Sequence, residues 1–334
     1  MSGGFRDGAR DAGRRRRRGR GEQAVVPDAE FASYYGRPVL KRPEWKPLDV
    51  AGYLFLGGLA GASSLLAAGA DVTARPALAR TAKLGAAGAI ALSLAALVHD
   101  LGRPARFLLM LRVFKPTSPM SMGSWLLAGY APLTMAAAAA EVSGRYRTAG
   151  AAATAGAAAL GPAVATYTAV LISDTAVPSW HEGYREMPYV FAGSGATAAA
   201  GLALAAVEPA QTGPARRTAV LGAVLELGAL RLMRRNMGQA AEAYEEDRPR
   251  AWLRAAEVLT AGGAALAAGG AALAAGAAGR GRVLTALAGT ALLAGSAALR
   301  LGVFHAGVVS AEDPRYTVVP QRDRLTARSR TGEP

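Results

Sequence analysis

The chain has 334 residues, 51% of them hydrophobic and only 6% aromatic, with a formal net charge of +14. Its apolar residues are gathered into long uncharged blocks instead of being spaced along amphipathic faces, which excludes an ordinary soluble globule and points to membrane-crossing helices. Cysteine is absent, so the chain has no disulfide and cannot hold an iron–sulfur cluster through thiolates.

Residues 1–33, rich in Gly, Arg and Asp and including the run Arg14–Arg18, read as a disordered basic tail near anionic lipid. Met1–Pro47 lacks the apolar stretch that a cleavable or twin-arginine signal needs. Residues 34–47 follow, with YYGRPVLKRPEWK at Tyr34–Lys46. Their prolines and aromatics predict an extended segment lying on the bundle or on a partner, or alternatively an interfacial belt anchored by Trp45.

The fold class expected from residues 48–306 is an all-α integral membrane bundle of about eight transmembrane helices. The spans fall at about Leu48–Ala70, Thr81–Val98, Ser121–Ala140, Thr148–Ser173, Tyr189–Val207, Arg217–Met233, Val258–Gly279 and Val283–Phe304. Val50–Ala70, Met120–Ala140, Thr148–Ser173 and Val258–Gly279 run without a charge, each long enough to cross a hydrocarbon core of about 30 Å. Gly57 and Gly61 give the first span a small-xxx-small spacing that lets a neighbouring helix come close. Pro162 is a tolerated interruption of the fourth. Glu226 interrupts the sixth, and repeats such as GGAALAAGGAALAAG read as close-packing faces. Residues 307–334 form the C-terminal tail.

Eight spans place both termini on one side of the membrane. Dividing all 38 Lys and Arg between the two sides gives 29 on the terminal side and 9 on the other, so the termini are expected in the cytoplasm. A basic face that docks a partner would bias the same count. The clustering of these charges in tails and loops fits topology and lipid contact better than nucleic-acid binding, so no nucleic acid is expected as a partner.

Two polar stretches stand out on the terminal side. The first, HDLGRPARFLLMLRVFKPTSPMS at His99–Ser121, follows the apolar run Leu84–Val98. Pro104 opens a short amphipathic piece in which Phe107, Leu108 and Leu111 share a face, and Pro116 and Pro119 close it. The second is SDTAVPSWHEGYREMP at Ser173–Pro188. His99, Asp100, Arg103, Asp174, His181 and Glu182 lie near a membrane surface, where each alone is ordinary interfacial polarity. Together, two loops supplying His, Asp and Arg beside an apolar mouth offer a quinone headgroup hydrogen-bond donors, a titratable group and a slot for its tail. Tyr167 faces the same region about two turns before Asp174. Arg103, Arg106, Arg112 and Lys115 are candidates for docking a partner. Glu226 is the most deeply placed charge, with Arg300 as a structural partner or a proton path as the competing roles. The three histidines, His99, His181 and His305, all fall on one side and cannot ligate haems at two depths, so no haem is expected.

The strings YYGRPVLKRPEWK, GYLFLGGLAGAS, HDLGRPARFLLMLRVFKPTSPMSMGSW, YTAVLISDTAVPSWHE and FHAGVVSAEDPRYTVVPQR resemble the polysulfide reductase membrane-subunit family (NrfD/PsrC), over roughly Tyr34 to Arg322. That resemblance implies an eight-helix, quinone-reactive subunit of the bacterial cell membrane with no redox centre of its own. It also implies a ferredoxin-like iron–sulfur partner and often a molybdopterin catalytic subunit, with menaquinone or ubiquinone as substrate. Tyr167 then corresponds to the quinone-contacting tyrosine of the fourth helix. Only Asp49 and Tyr53 supply polar groups near the start of the first helix. Two other readings remain open. A passive anchor would need only the docking arginines, and a solute or ion transporter would favour midplane charges, of which Glu226 is the single example.

Overall fold

The computed structural model describes residues 40–100, 109–274 and 278–322, apart from 42 and 44, and contains no strand among them. The expected basic tail at 1–33, the start of the extended segment, the piece from Pro104 to Leu108, and residues 323–334 lie outside the described residues. Eight long helices follow in chain order: α1 Pro47–Val72, α2 Pro76–Asp100, α3 Pro119–Ser143, α4 Arg147–Ser173, α5 Met187–Ala206, α6 Gly213–Asn236, α7 Asp247–Ala274 and α8 Ala278–Glu312. Proline sets most of their starts, because its missing N–H is one the first turn leaves unpaired anyway. Pro47, Pro76 and Pro119 are first residues, while Pro188 and Pro214 are second. Pro119 therefore opens α3 instead of closing the loop before it, with Ser118 Oγ accepting from the Ser121 N–H at 3.5 Å.

Six helices, α1 to α5 and the bulk of α8, are long and apolar enough to cross a membrane. α6 falls short in composition, whereas α7 is charged in its first three turns and uncharged from Val258 to Ala274. α6 carries arginines at both ends and Glu226 between them, and the first three turns of α7 hold Asp247, Arg248, Arg250, Arg254 and Glu257. Both still belong to the bundle, α6 packing on α5 and α7 on α8. α7 begins well before the expected Val258, and two of its early charges are paired: Glu257 meets Arg234 at the end of α6 at 3.1 Å, and Arg250 meets Glu245 at 3.9 Å. α8 runs to Glu312, past the expected end of the membrane domain at 306, since no helix breaker intervenes before Pro314.

α1 and α5 are central, each packing on α4, on α8 and on the other, with α2 flanking α1 and α6 flanking α5. Consecutive helices run antiparallel, as the pairing of Asp49 with His99 and of Lys83 with Asp71 and Glu141 shows for the first three. One end of the bundle thus gathers the starts of α1, α3, α5 and α7 with the ends of α2, α4, α6 and α8; it is called the His99 end below. A large apolar cluster including Leu54, Leu127, Trp180, Phe191, Leu230 and Phe304 fills this half of the bundle. A smaller one around Leu66, Leu78, Leu204 and Leu292 fills the other. The connections at the His99 end are themselves tied in. The Tyr244 hydroxyl donates to the Ser179 carbonyl at 2.9 Å, and burial pushes its pKa up, so it stays a neutral donor.

Glycine brings the central helices into backbone contact. A methyl group at Gly61 would land on the Gly161 carbonyl oxygen of α4, and one at Gly195 would lie 2.8 Å from the Gly58 carbonyl oxygen of α1. Of the expected small-residue pair, Gly61 makes the helix contact, while Gly57 faces Ser93 and Thr168 at ordinary distances. Replacing Gly61 by Leu should therefore force α1 off α4 and destabilise the bundle by about 1–3 kcal/mol. Gly228→Ala, where nothing lies within 4 Å, should be neutral or slightly stabilising. Thermal unfolding of both variants in detergent checks this, and equal losses would contradict the packing described.

Candidate functional site

Three helices converge on Tyr167. Its ring lies edge-on to Tyr53 of α1, with centroids 6.4 Å apart and planes at 78°. It also covers Gly123 of α3, where a methyl group would lie 2.5 Å from Tyr167 Cε2. The Tyr167 hydroxyl is buried and has no hydrogen-bond partner among the described residues, and the same holds for Thr168 Oγ1 beside it in sequence. Buried polar atoms without a partner are rare in native structures, because each forfeits its hydration. One turn before Tyr53, on the same face of α1, Asp49 Oδ2 accepts from His99 Nδ1 at 3.0 Å. Asp49 is 21% exposed and His99 65%, so this pair stands at the rim while the tyrosines lie deeper. Ser93 Oγ donates to the Tyr53 carbonyl at 3.3 Å and fixes α2 against α1.

The other residues singled out from the sequence are spread around the same end. Asp100, Arg112 and Lys115 are exposed. Asp174 follows α4 and is exposed. His181 is exposed as well. Its Nδ1 donates to the Ser173 carbonyl at 3.1 Å, and its ring stacks on Tyr184 with centroids 6.3 Å apart. Arg103 and Arg106 lie outside the described residues. The grouping around α1 is therefore Tyr167, Tyr53, Asp49 and His99, with Asp174 and His181 on the connection after α4.

Glu226 and Arg300 occupy one buried cluster in the second half of the bundle, yet they are not a direct ion pair. The Glu226 carboxylate takes Thr260 Oγ1 at 3.0 Å and Thr197 Oγ1 at 3.1 Å. Arg300 Nη2 donates to the Phe191 carbonyl at 3.2 Å, and its guanidinium carbon sits 3.6 Å from the centroid of the Phe191 ring. Such a desolvated cation–π contact is worth about 2 kcal/mol. Its Nε and Nη1 find no partner among the described residues. Ser194 and Ser296, joined at 2.8 Å, complete the cluster. The two charges are held apart because both border the same stretch of α5, from Phe191 to Thr197, each on its own side chains and backbone.

The sequence reading missed a further charged group at the opposite end of the first four helices. Lys83 of α2 bridges Asp71 at 3.0 Å and Glu141 at 2.9 Å beside a cleft of about 490 Å³. Beneath it the Tyr130 hydroxyl and Ser64 Oγ lie 2.7 Å apart. Nothing in linear spacing pairs a lysine at 83 with a glutamate at 141, and Asp71 and Glu141 fall one residue beyond the ends of their expected spans, where a charge is ordinary.

Fold and site together define a multi-pass helical membrane protein with polar groups concentrated inside the bundle. A family model described as Polysulphide reductase, NrfD, matches residues 44–235, more than half of the chain. The chain belongs to this family and is an NrfD-type membrane subunit of the polysulfide reductase class. The match takes in α1 to α5 and nearly all of α6, with both polar stretches, and stops before α7 and α8, so the C-terminal string that also carried the resemblance lies beyond it. No match is found among curated proteins.

The buried cluster gives a direct expectation. Arg300→Ala removes both the cation–π contact and the charged hydrogen bond to the Phe191 carbonyl, and should cost about 3–5 kcal/mol. Glu226→Gln keeps both threonine partners and should cost about 1 kcal/mol. Detergent thermal unfolding of the two variants separates them; the reverse order would show that Glu226, not Arg300, anchors the cluster.

Proposed function

We propose that this subunit exchanges electrons between a membrane quinone and an iron–sulfur partner subunit, with the quinone ring received beside Tyr167. The observation that carries this reading is the buried Tyr167 hydroxyl, which has no partner among the described residues while its ring is held between α1, α3 and α4. A quinone carbonyl is an acceptor that would satisfy this hydroxyl. Tyr53 supplies a second ring edge, and the Asp49–His99 pair one turn away offers an acid–base group at the rim, where the protons that accompany two-electron quinone chemistry must enter or leave. Asp174, His181 and Asp100 contribute acidity and hydrogen bonding at the same end. Menaquinone and ubiquinone both present the required carbonyls.

The electrons pass to centres in the partner, since a chain without cysteine offers no thiolate for a cluster. The partner is a ferredoxin-like iron–sulfur protein, with a molybdopterin catalytic subunit behind it. The exposed Arg112 and Lys115 provide a cationic surface for its carboxylates, to which the sequence adds Arg103 and Arg106 of the same stretch. The protein works in the bacterial plasma membrane with its termini in the cytoplasm, as the charge asymmetry favours.

Tyr167→Phe keeps the ring and removes only the hydroxyl. Losing one net hydrogen bond of about 0.5–1.5 kcal/mol should lower quinone-linked turnover about two- to tenfold, with insertion and partner assembly normal. Quinol-coupled activity measured beside the amount of partner retained in washed membranes tests this. Full turnover in Tyr167→Phe combined with Asp49→Asn, partner still bound, would leave a passive anchor as the better account.

A further inference from the structure

Two consecutive glycines of α1 set the buried Glu226–Arg300 cluster beside the Tyr167 group. A methyl group at Gly57 would lie 3.8 Å from Ser93 Oγ and 3.9 Å from Thr168 Cγ2, while one at Gly58 would lie 3.1 Å from Arg300 Nη2. Adjacent residues of a helix point about 100° apart, so Thr168 and Arg300 meet neighbouring sides of α1 at one depth, no more than about 13 Å from each other. Neither glycine puts a side chain between them. Tyr167 precedes Thr168 on α4, and Tyr53 lies one turn before Gly57 on α1, so the guanidinium stands at the inner edge of the tyrosine pair. Arg300 is fully buried, and its Nε and Nη1 have no partner among the described residues. Glu226 lies further off, on α6, where a methyl group at Gly193 of α5 would come within 2.8 Å of its Cα. Both of its carboxylate oxygens accept from threonine hydroxyls. Of the two charges, Arg300 is the one beside α1.

Resting on the reading that a quinone ring binds beside Tyr167, we infer that Arg300 and Glu226 form a buried dipole whose positive end favours negative charge on that ring. Arg300 does not touch the ring; it acts through space across α1. A charge inside the bundle is screened far less than one at a surface, and at an effective dielectric of about 20 a unit charge about 13–15 Å away shifts an ionisation about five- to tenfold. Glu226 opposes this from a greater distance, so the sign at the ring is that of Arg300. A quinone that has received electrons carries negative charge until its protons arrive, and this is the charge the dipole stabilises. The charges at the rim, Asp49, His99 and Lys46, stand nearer to water and are the same in every variant below.

The test uses a short-tailed hydroxynaphthoquinone, a quinone whose acidic hydroxyl changes its visible absorbance on ionising, titrated with pH while bound to the assembled complex. Glu226→Gln removes the opposing charge and should lower the pKa of the bound probe below its value in the wild type. Adding Arg300→Gln to Glu226→Gln removes the guanidinium as well, and should raise that pKa by about 0.7–1 unit, the five- to tenfold of one unit charge. A merely structural cluster would not move the probe in opposite directions in the two variants. Tyr167→Phe should weaken probe binding about two- to tenfold through the lost hydrogen bond. Equal pKa values in the wild type and both variants, with binding still weakened in Tyr167→Phe, would overturn the dipole and leave the proposed function standing. Absence of saturable binding, or binding indifferent to Tyr167→Phe, would overturn both. Should the double variant fail to assemble, Glu226→Gln alone decides, since a probe pKa equal to the wild-type value would count against the dipole.

Discussion

Everything in this bundle depends on helices meeting backbone to backbone. Lipid tails are as apolar as leucine, so in a membrane the hydrophobic effect does not press helices together, and association rests on close packing and polar contacts. The chain meets that constraint with glycine and alanine. Gly61 of α1 lies on Gly161 of α4, Gly195 of α5 on Gly58 of α1, and Gly201 of α5 on Gly289 of α8. These contacts make α1 and α5 the axis of the structure. They also account for a composition with 41 glycines and few aromatics.

Because the axis is so closely packed, its polar side chains are confined to a few levels, and the two halves of the bundle use them differently. In the second half the hydroxyls of Thr197 and Thr260 close around Glu226, and Phe191 covers Arg300 with its ring and carbonyl. That cluster is enclosed on every side by α5 to α8 and by α1, and it reads as a structural device. In the first half the groups lie nearer the ends: Asp49 and His99 at one, Asp71, Lys83 and Glu141 at the other. Between them Tyr167 presents a hydroxyl that nothing in the described protein answers. Unpaired buried polar atoms thus occur in both halves, at Arg300 Nε and Nη1 under the Phe191 ring in one and at the Tyr167 hydroxyl and Thr168 Oγ1 in the other.

The helices were legible in the sequence because apolar blocks and proline starts are local signals. Pro47, Pro119 and Pro188 fall within a residue or two of the expected span starts, and the all-α membrane bundle follows from them. The errors came where charge was taken as a boundary. Asp247 to Glu257 looked like a loop, but α7 begins there, with Glu257 paired to the end of α6. Tyr167 was legible through its place on the fourth helix, whereas its neighbour Tyr53 and the pairing of His99 with Asp49 depend on how α1 lies between α2 and α4. The separation of Glu226 from Arg300 was likewise invisible, since two lone opposite charges in apolar helices suggest a bridge until the threonines and Phe191 are placed around them.

The most direct measurement of the quinone reading is the infrared spectrum of a carbonyl-isotope-labelled quinone bound to the complex. A carbonyl accepting a hydrogen bond from a buried phenol stretches at lower frequency than the free group. One of the two carbonyl bands should therefore be lowered in the wild type and return to the free position in Tyr167→Phe, with the quinone still bound. Bands at the free-quinone position in the wild type, or a lowered band that survives in Tyr167→Phe, would contradict the placement of the ring beside this tyrosine.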